Sequence, residues 1–169
     1  MAIKKSRKIF KPLVFLASLL PLAWLIFALY SDTVQGTKYL TIDPTQKLDR
    51  ELGDWALIFI ILSLSVRPLA EILKKGELVA YRRMLGLFAF FYVVLHFSAY
   101  LGLNLQLDID EFFKDITKRN FITIGIINVI LLTPLAITST KGMIKRLGGK
   151  RWQKLHMLIY PIALLGVFH

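Results

Sequence analysis

An all-α bundle of membrane-spanning helices is the fold this sequence predicts, and three observations predict it. Hydrophobic residues make up 56% of the 169 positions and the mean hydropathy is +0.58, beyond what a soluble core of this size needs. Apolar runs approaching the ~20 residues that cross hydrocarbon recur five times. Basic residues, finally, gather on alternate connections between those runs. The length suits one domain, 1–169, with no internal repeat or low-complexity tract.

The first run covers about 10–30, too long for a removable signal peptide and followed by no small-residue cleavage site. A polar connection of about 31–52 follows, with a turn marked by Asp43-Pro44. The second run, about 55–73, is interrupted near its end by Arg67-Pro68. The third, about 84–103, carries His96, and the next connection, about 104–120, has room for a short surface helix starting at Asp108. The fourth, about 121–138, contains Asn128, Thr123 and Thr133, suited to interhelical hydrogen bonding or to lining a site. The fifth, 155–169, reaches about 22 Å against a core of about 30 Å. A longer natural chain with a sixth helix is the expectation. Pro21, Pro68, Pro134 and Pro161 are expected to kink or end helices, and Trp24, Trp55 and Trp152 to anchor span ends at headgroup depth.

Charge orients the spans. Sixteen of the 22 basic residues fall on one side: Lys4, Lys5, Arg7, Lys8 and Lys11, then Arg67, Lys74, Lys75, Arg82 and Arg83, then the cluster from Lys141 to Lys154. Nine of the 11 acidic residues fall on the other, Asp43, Asp49, Asp108 and Glu111 among them. The positive-inside rule then puts the N-terminus and the basic clusters in the cytoplasm of a bacterial inner membrane. The net charge of +11 is distributed in this way and forms no aromatic-interleaved basic face, so no nucleic acid is expected as a partner. Membrane lipids are.

Three histidines, His96, His156 and His169, lie in or at the edge of apolar runs. An ionisable side chain in a spanning helix costs a few kcal/mol, which makes it a functional candidate by default. With no cysteine in the chain, iron–sulfur clusters, thiolate zinc sites and disulfides are excluded. Neutral imidazole is also a frequent protein ligand of haem iron. All three histidines are therefore candidate metal ligands for one or two haem b groups.

Depth selects a pair. On one continuous helix His156 and His169 would be about 20 Å and about 140° apart, so they cannot share an iron. Measured from the basic side, His96 lies about 18 Å into its span, His169 about 21 Å and His156 about 1.5 Å. The favoured pair is His96 with His169, with small residues Ala89, Ala99 and Gly166 nearby. His156 has no histidine partner at its depth. Met84, Tyr81 or a five-coordinate arrangement remain open, as does no second haem, while Arg82, Arg83, Arg151 and Lys154 suit carboxylate groups of a cofactor.

The stretch Arg82-Arg-Met-Leu-Gly-Leu-Phe-Ala-Phe-Phe-Tyr-Val-Val-Leu-His96 resembles the third helix of the MsrQ (YedZ) family. Lys150-Arg-Trp-Gln-Lys-Leu-His156, followed by Tyr160 and His169, is similar to the same family, as are Leu20-Pro-Leu-Ala-Trp-Leu and Arg67-Pro-Leu-Ala. The likeness covers nearly the whole chain. It implies the ferric-reductase-like transmembrane superfamily, which includes the eukaryotic NADPH oxidases: six helices and two stacked b haems held by histidines of the third and fifth. It implies electron transfer to a periplasmic molybdopterin methionine sulfoxide reductase, MsrP. Donors implied are a cytosolic flavin reductase or quinol, with FMN as a possible cofactor. Three histidines instead of the superfamily's usual four, no sixth helix and no flavin or nicotinamide domain are departures, so the electron donor must be borrowed. The reading is an electron-relay subunit without substrate chemistry of its own. Two alternatives stand beside it: another ferric- or quinol-linked haem reductase of this fold, and a haem-free transporter or assembly factor with proton-coupling histidines.

Overall fold

The computed structural model describes the backbone of residues 2–41 and 43–169 and the side chains of 10–41 and 43–169. Lys4, Lys5, Arg7 and Lys8, counted above among the clustered basic residues, lie with their side chains outside the described residues. Among the described residues, four helical stretches are long and apolar enough to cross a membrane: Phe10–Val34, Pro44–Ile72, Gly76–Asn104 and Asn120–Ile137. In chain order the helices are α1 (Ala2–Val34), α2 (Pro44–Ile72), α3 (Val79–Ala99), α4 (Ile109–Lys118), α5 (Asn120–Ile137), α6 (Lys141–Leu147), α7 (Gly149–His156) and α8 (Ile159–Phe168). A 3-10 turn, Gly76–Leu78, leads into α3, and a π turn, Tyr100–Asn104, ends it.

The connection expected at 31–52 is mostly helical. Asp43 is not a loop turn but the N-cap of α2: its carboxylate accepts from the Gln46 amide at 3.0 Å, and Pro44 takes the first helical position, where its missing N–H costs nothing. The same Gln46 amide holds the Asp43 carboxyl below its ordinary range. Pro68 does not interrupt α2 either, which runs on to Ile72. Residues 35–41 of the connection that remains are organised by Asp32, which accepts from the Thr37 hydroxyl and from the Tyr39 and Leu40 amides. α4 is the short surface helix expected there. Asp108 caps it by accepting from the Glu111 amide at 3.0 Å, and two acidic residues occupy its first turn.

The fifth apolar run is broken where one continuous helix was expected. Pro161 has no amide to donate to the Met157 carbonyl and its ring crowds that oxygen. The chain between α7 and α8 closes instead through tighter bonds, Leu158 N–H to Leu155 O at 3.1 Å and Tyr160 N–H to Met157 O at 3.2 Å. Trp152, expected as an anchor, sits inward: its indole N–H donates to Thr138 O at 3.0 Å and its ring stacks on His156 at 4.0 Å.

α2, α3, α5 and α8 form the centre. The α2–α3 seam is closed by small buried residues, Ala56, Ala70, Ala89 and Ala99, and by the stacked rings of Phe59, Phe88 and Tyr92. α1 packs on the outside of α2 and α3 and turns Leu16, Leu20, Trp24, Ile26 and Phe27 outward, the apolar surface expected of a lipid-facing helix. Tyr92, fully buried, ties α1 to α3. Its hydroxyl donates to Ser18 O at 2.9 Å and accepts from Leu22 N–H at 3.2 Å, bridging one rung of α1 beside Pro21. His96 follows one turn later on α3.

Candidate functional site: paired imidazoles at the acidic end

A cavity opens at each end of the central bundle. The one at the acidic end measures about 530 Å³ and is lined by His96 and His169, with Asp49, Asn104, Asn128 and Arg119 among its walls. α3 presents His96 and the last residue after α8 presents His169. Their ring centres are 5.7 Å apart and their planes nearly perpendicular, at 80°. The depth match read from the helical rise thus corresponds to two imidazoles facing one cavity.

Backbone carbonyls fix the state of both rings. His96 Nδ1 lies 2.9 Å from Asp49 O, and His169 Nδ1 lies 2.6 Å from Phe121 O. A carbonyl oxygen can only accept, so each Nδ1 must carry the proton and donate it. Each Nε2 then keeps a free lone pair. An imidazole whose distal N–H is tied to a carbonyl is the usual form of a metal-ligating histidine.

Two glycines make room for the rings. A Cβ at Gly53 on α2 would stand 3.3 Å from His96 Cε1, and one at Gly125 on α5 only 2.6 Å from His169 Cε1. Asn128, one turn beyond Gly125, is buried in the cavity wall, and its Oδ1 has no hydrogen-bond partner. At the mouth, Tyr100 donates to Asp115 Oδ2 at 2.7 Å while Arg119 Nε approaches Asp115 Oδ1 at 3.3 Å.

His156 sits apart from this pair, at the basic end. It lines a second cavity of about 730 Å³ together with Arg67, Arg82, Arg83, Trp152 and Tyr160. Its Nε2 is already engaged, 3.1 Å from the Thr138 hydroxyl. Arg82 and Arg83 do reach this cavity, whereas Arg151 is exposed on α7 and does not line it. Met84 and Tyr81 are absent from its lining as well. Leu132 of α5 contributes to both cavities and so forms part of the partition between them.

Residue-by-residue reading of the sequence missed Asp49, Asn104, Gly53 and Gly125. Asp49 and the two glycines act on a histidine of another helix and Asn104 acts on Asp49, and periodicity within one helix carries no signal of such contacts. Gly125 alone had one: a residue that weakens a helix, placed inside an apolar span, points to close packing.

The sequence pattern of the family described as "Ferric reductase like transmembrane component" matches residues 52–167, a stretch that holds all of α3 and α5 together with His96 and His156. Among curated relatives, the "Protein-methionine-sulfoxide reductase heme-binding subunit MsrQ" of Herminiimonas arsenicoxydans is 48% identical over 94% of this chain and 70% of its own length. The MsrQ of Polaromonas naphthalenivorans is 47% identical over the same shares. Magnetosome protein MamZ of Magnetospirillum gryphiswaldense is 46% identical over 99% of this chain, which spans 26% of that longer protein. With a transmembrane family pattern across most of its length and MsrQ relatives matched along nearly all of it, the chain is a multi-pass membrane protein that belongs to the ferric reductase-like transmembrane family and, within it, to the MsrQ group.

Proposed function

We propose that this chain is the haem b membrane subunit of a methionine sulfoxide reductase system, relaying electrons to a periplasmic molybdopterin reductase of the MsrP type. The observation that carries the reading is the pair His96 and His169, two Nδ1-protonated imidazoles facing one cavity across 5.7 Å. The residues fit the group. With ring centres 5.7 Å apart and both Nδ1 atoms tied back to carbonyls, the two Nε2 atoms would hold one iron between the rings. The cavity measures about 530 Å³ and both rings fit against it because Gly53 and Gly125 leave no Cβ in their way. The relatives' printed name, a heme-binding subunit, points the same way.

Bound haem supplies a one-electron carrier that needs no proton or substrate bond. The chain's residues do the remaining work. His96 and His169 would hold the iron through Nε2, and the Asp49 and Phe121 carbonyls lock their tautomers and ring planes. Val93, Ile122, Val129 and Leu132 give the cavity an apolar wall that excludes water. At the basic end, Arg67, Arg82 and Arg83 suit the anionic groups of a second haem or of FMN, with His156 as the single imidazole there.

The charge asymmetry supports an orientation with the basic end in the cytoplasm. Electrons then arrive from a cytosolic flavin reductase or from quinol and leave at the acidic end toward the periplasmic partner. Arg151, exposed on α7 outside the cavity, belongs to the docking face for the donor in this reading. An absorbance spectrum of the purified protein tests the function directly. A low-spin b-type signal lost in both His96→Ala and His169→Ala is expected; a haem-free wild-type protein, or that signal retained in both variants, overturns it.

A further inference from the structure

We infer that Asp49 and Asn104 form a positioning pair that sets the reduction potential at the acidic end by making the two axial imidazoles electronically unequal. The inference rests on His96 and His169 being ligands of one haem.

His96 Nδ1 meets two oxygens of the same residue, the Asp49 carbonyl and the Asp49 carboxylate Oδ1, both at 2.9 Å. One N–H satisfies one acceptor well, and the carbonyl takes it. Oδ1 is left buried with no hydrogen-bond partner, held against the positive edge of the imidazole. The other carboxylate oxygen, Oδ2, accepts from Asn104 Nδ2 at 3.0 Å, which prevents the group from swinging toward water.

Asn104 reaches that place through the π turn. Leu105 N–H bonds back five residues to Tyr100 O at 3.0 Å, inserting one extra residue into the last turn of α3. One residue is worth about 100° of rotation, so an unbroken α-helix would carry Asn104 to a different side. π turns of this kind recur at functional sites. The turn is followed by Gln106 and Leu107 at φ 50° and 64°, a left-handed pair that side chains avoid unless surrounding structure holds them there.

His169 has no counterpart of this arrangement. Its Nδ1 donates to the neutral Phe121 carbonyl. Nearby cations do not cancel the Asp49 charge: Arg119 pairs with Asp115 and Lys47 with Glu51. A negative charge behind Nδ1–H strengthens Nε2 as a donor and favours the more positive, oxidised metal. The potential at this end is therefore held lower than two carbonyl-tied histidines alone would give.

Equilibrium redox titration of the full-length, haem-loaded protein tests this. Asp49→Asn keeps the backbone carbonyl, so haem content and the low-spin spectrum should stay while the midpoint potential of the His96 haem shifts upward. Asn104→Leu should shift it in the same direction by less, because the freed carboxylate turns away from His96. Unchanged potentials in both variants at normal haem content overturn the inference. If Asp49→Asn lowers haem content, Asn104→Leu decides alone: an upward shift supports the pair and no shift overturns it. A wild-type protein without haem, or His96→Ala protein that keeps it, would instead sink the underlying ligand reading.

Discussion

The two ends of the bundle each hold an imidazole-lined cavity, yet they differ in preparation. At the acidic end both histidines spend Nδ1 on backbone carbonyls, keep Nε2 free and face glycines. At the basic end His156 spends Nε2 on the Thr138 hydroxyl, lies flat on Trp152 and is surrounded by arginines. The first site is built from acceptors that cannot donate, which commits each Nδ1, leaves each Nε2 unengaged and fixes both rings before anything binds. The second is built from cations and one histidine with a competing partner, so charge neutralisation rather than paired coordination governs what it holds. The same residue type thus keeps Nε2 unengaged in one place and shares it with a hydroxyl in the other.

Replacing either member of the acidic-end pair should have the largest effect. His96→Ala and His169→Ala should each abolish the same haem signal, while His156→Ala leaves that signal in place; spectra of the three purified variants check this. Loss of the signal in His156→Ala but not in His169→Ala would break the comparison outright. Next come the glycines. Gly125→Ala puts a Cβ 2.6 Å from the His169 ring, so the ring must move, and haem occupancy should fall several-fold. Gly53→Ala, at 3.3 Å from His96, should cost visibly less. Haem-to-protein ratios measured side by side sharpen the comparison, and equal ratios would remove the cradle from it.

Smaller effects bear on independence of the ends. Tyr92→Phe strips the hydroxyl shared by Ser18 O and Leu22 N–H and should destabilise the fold by about 1–3 kcal/mol, read as a lower thermal midpoint with haem content kept. Thr138→Val should be mildest. It frees His156 Nε2 at a cost of about 0.5–1.5 kcal/mol and should leave the acidic-end spectrum as it was. A shifted acidic-end spectrum in Thr138→Val would show that the partition around Leu132 transmits strain.

The helices and the histidine pairing were legible because both depend on quantities that run along one chain. Hydropathy located the spans, and a fixed rise per residue put His96 and His169 at one level. The ends of elements were less legible. Residues 44–54 are too polar to read as membrane helix, yet α2 begins at Pro44, because Asp43 caps it and helical structure does not stop where lipid does. The break before Ile159 is visible as Pro161, but its position depends on which carbonyl the ring crowds. Asp49 and Asn104 were illegible for a different reason. They meet across 55 positions, through a turn whose extra residue has no sequence signature.

The rung that Tyr92 bridges also bears on biogenesis. Hydrocarbon offers no water to a strained or open backbone pair, and each polar group left unmatched there costs several kcal/mol. α1 is synthesised well before α3, so the Tyr92 hydroxyl that bonds Ser18 O and Leu22 N–H arrives 70 residues after the latter. Docking of α3 is therefore the event that gives the Tyr92 hydroxyl its two partners. A nascent chain that misplaces α3 would carry that hydroxyl into hydrocarbon without them, so the tie to α1 rewards correct assembly.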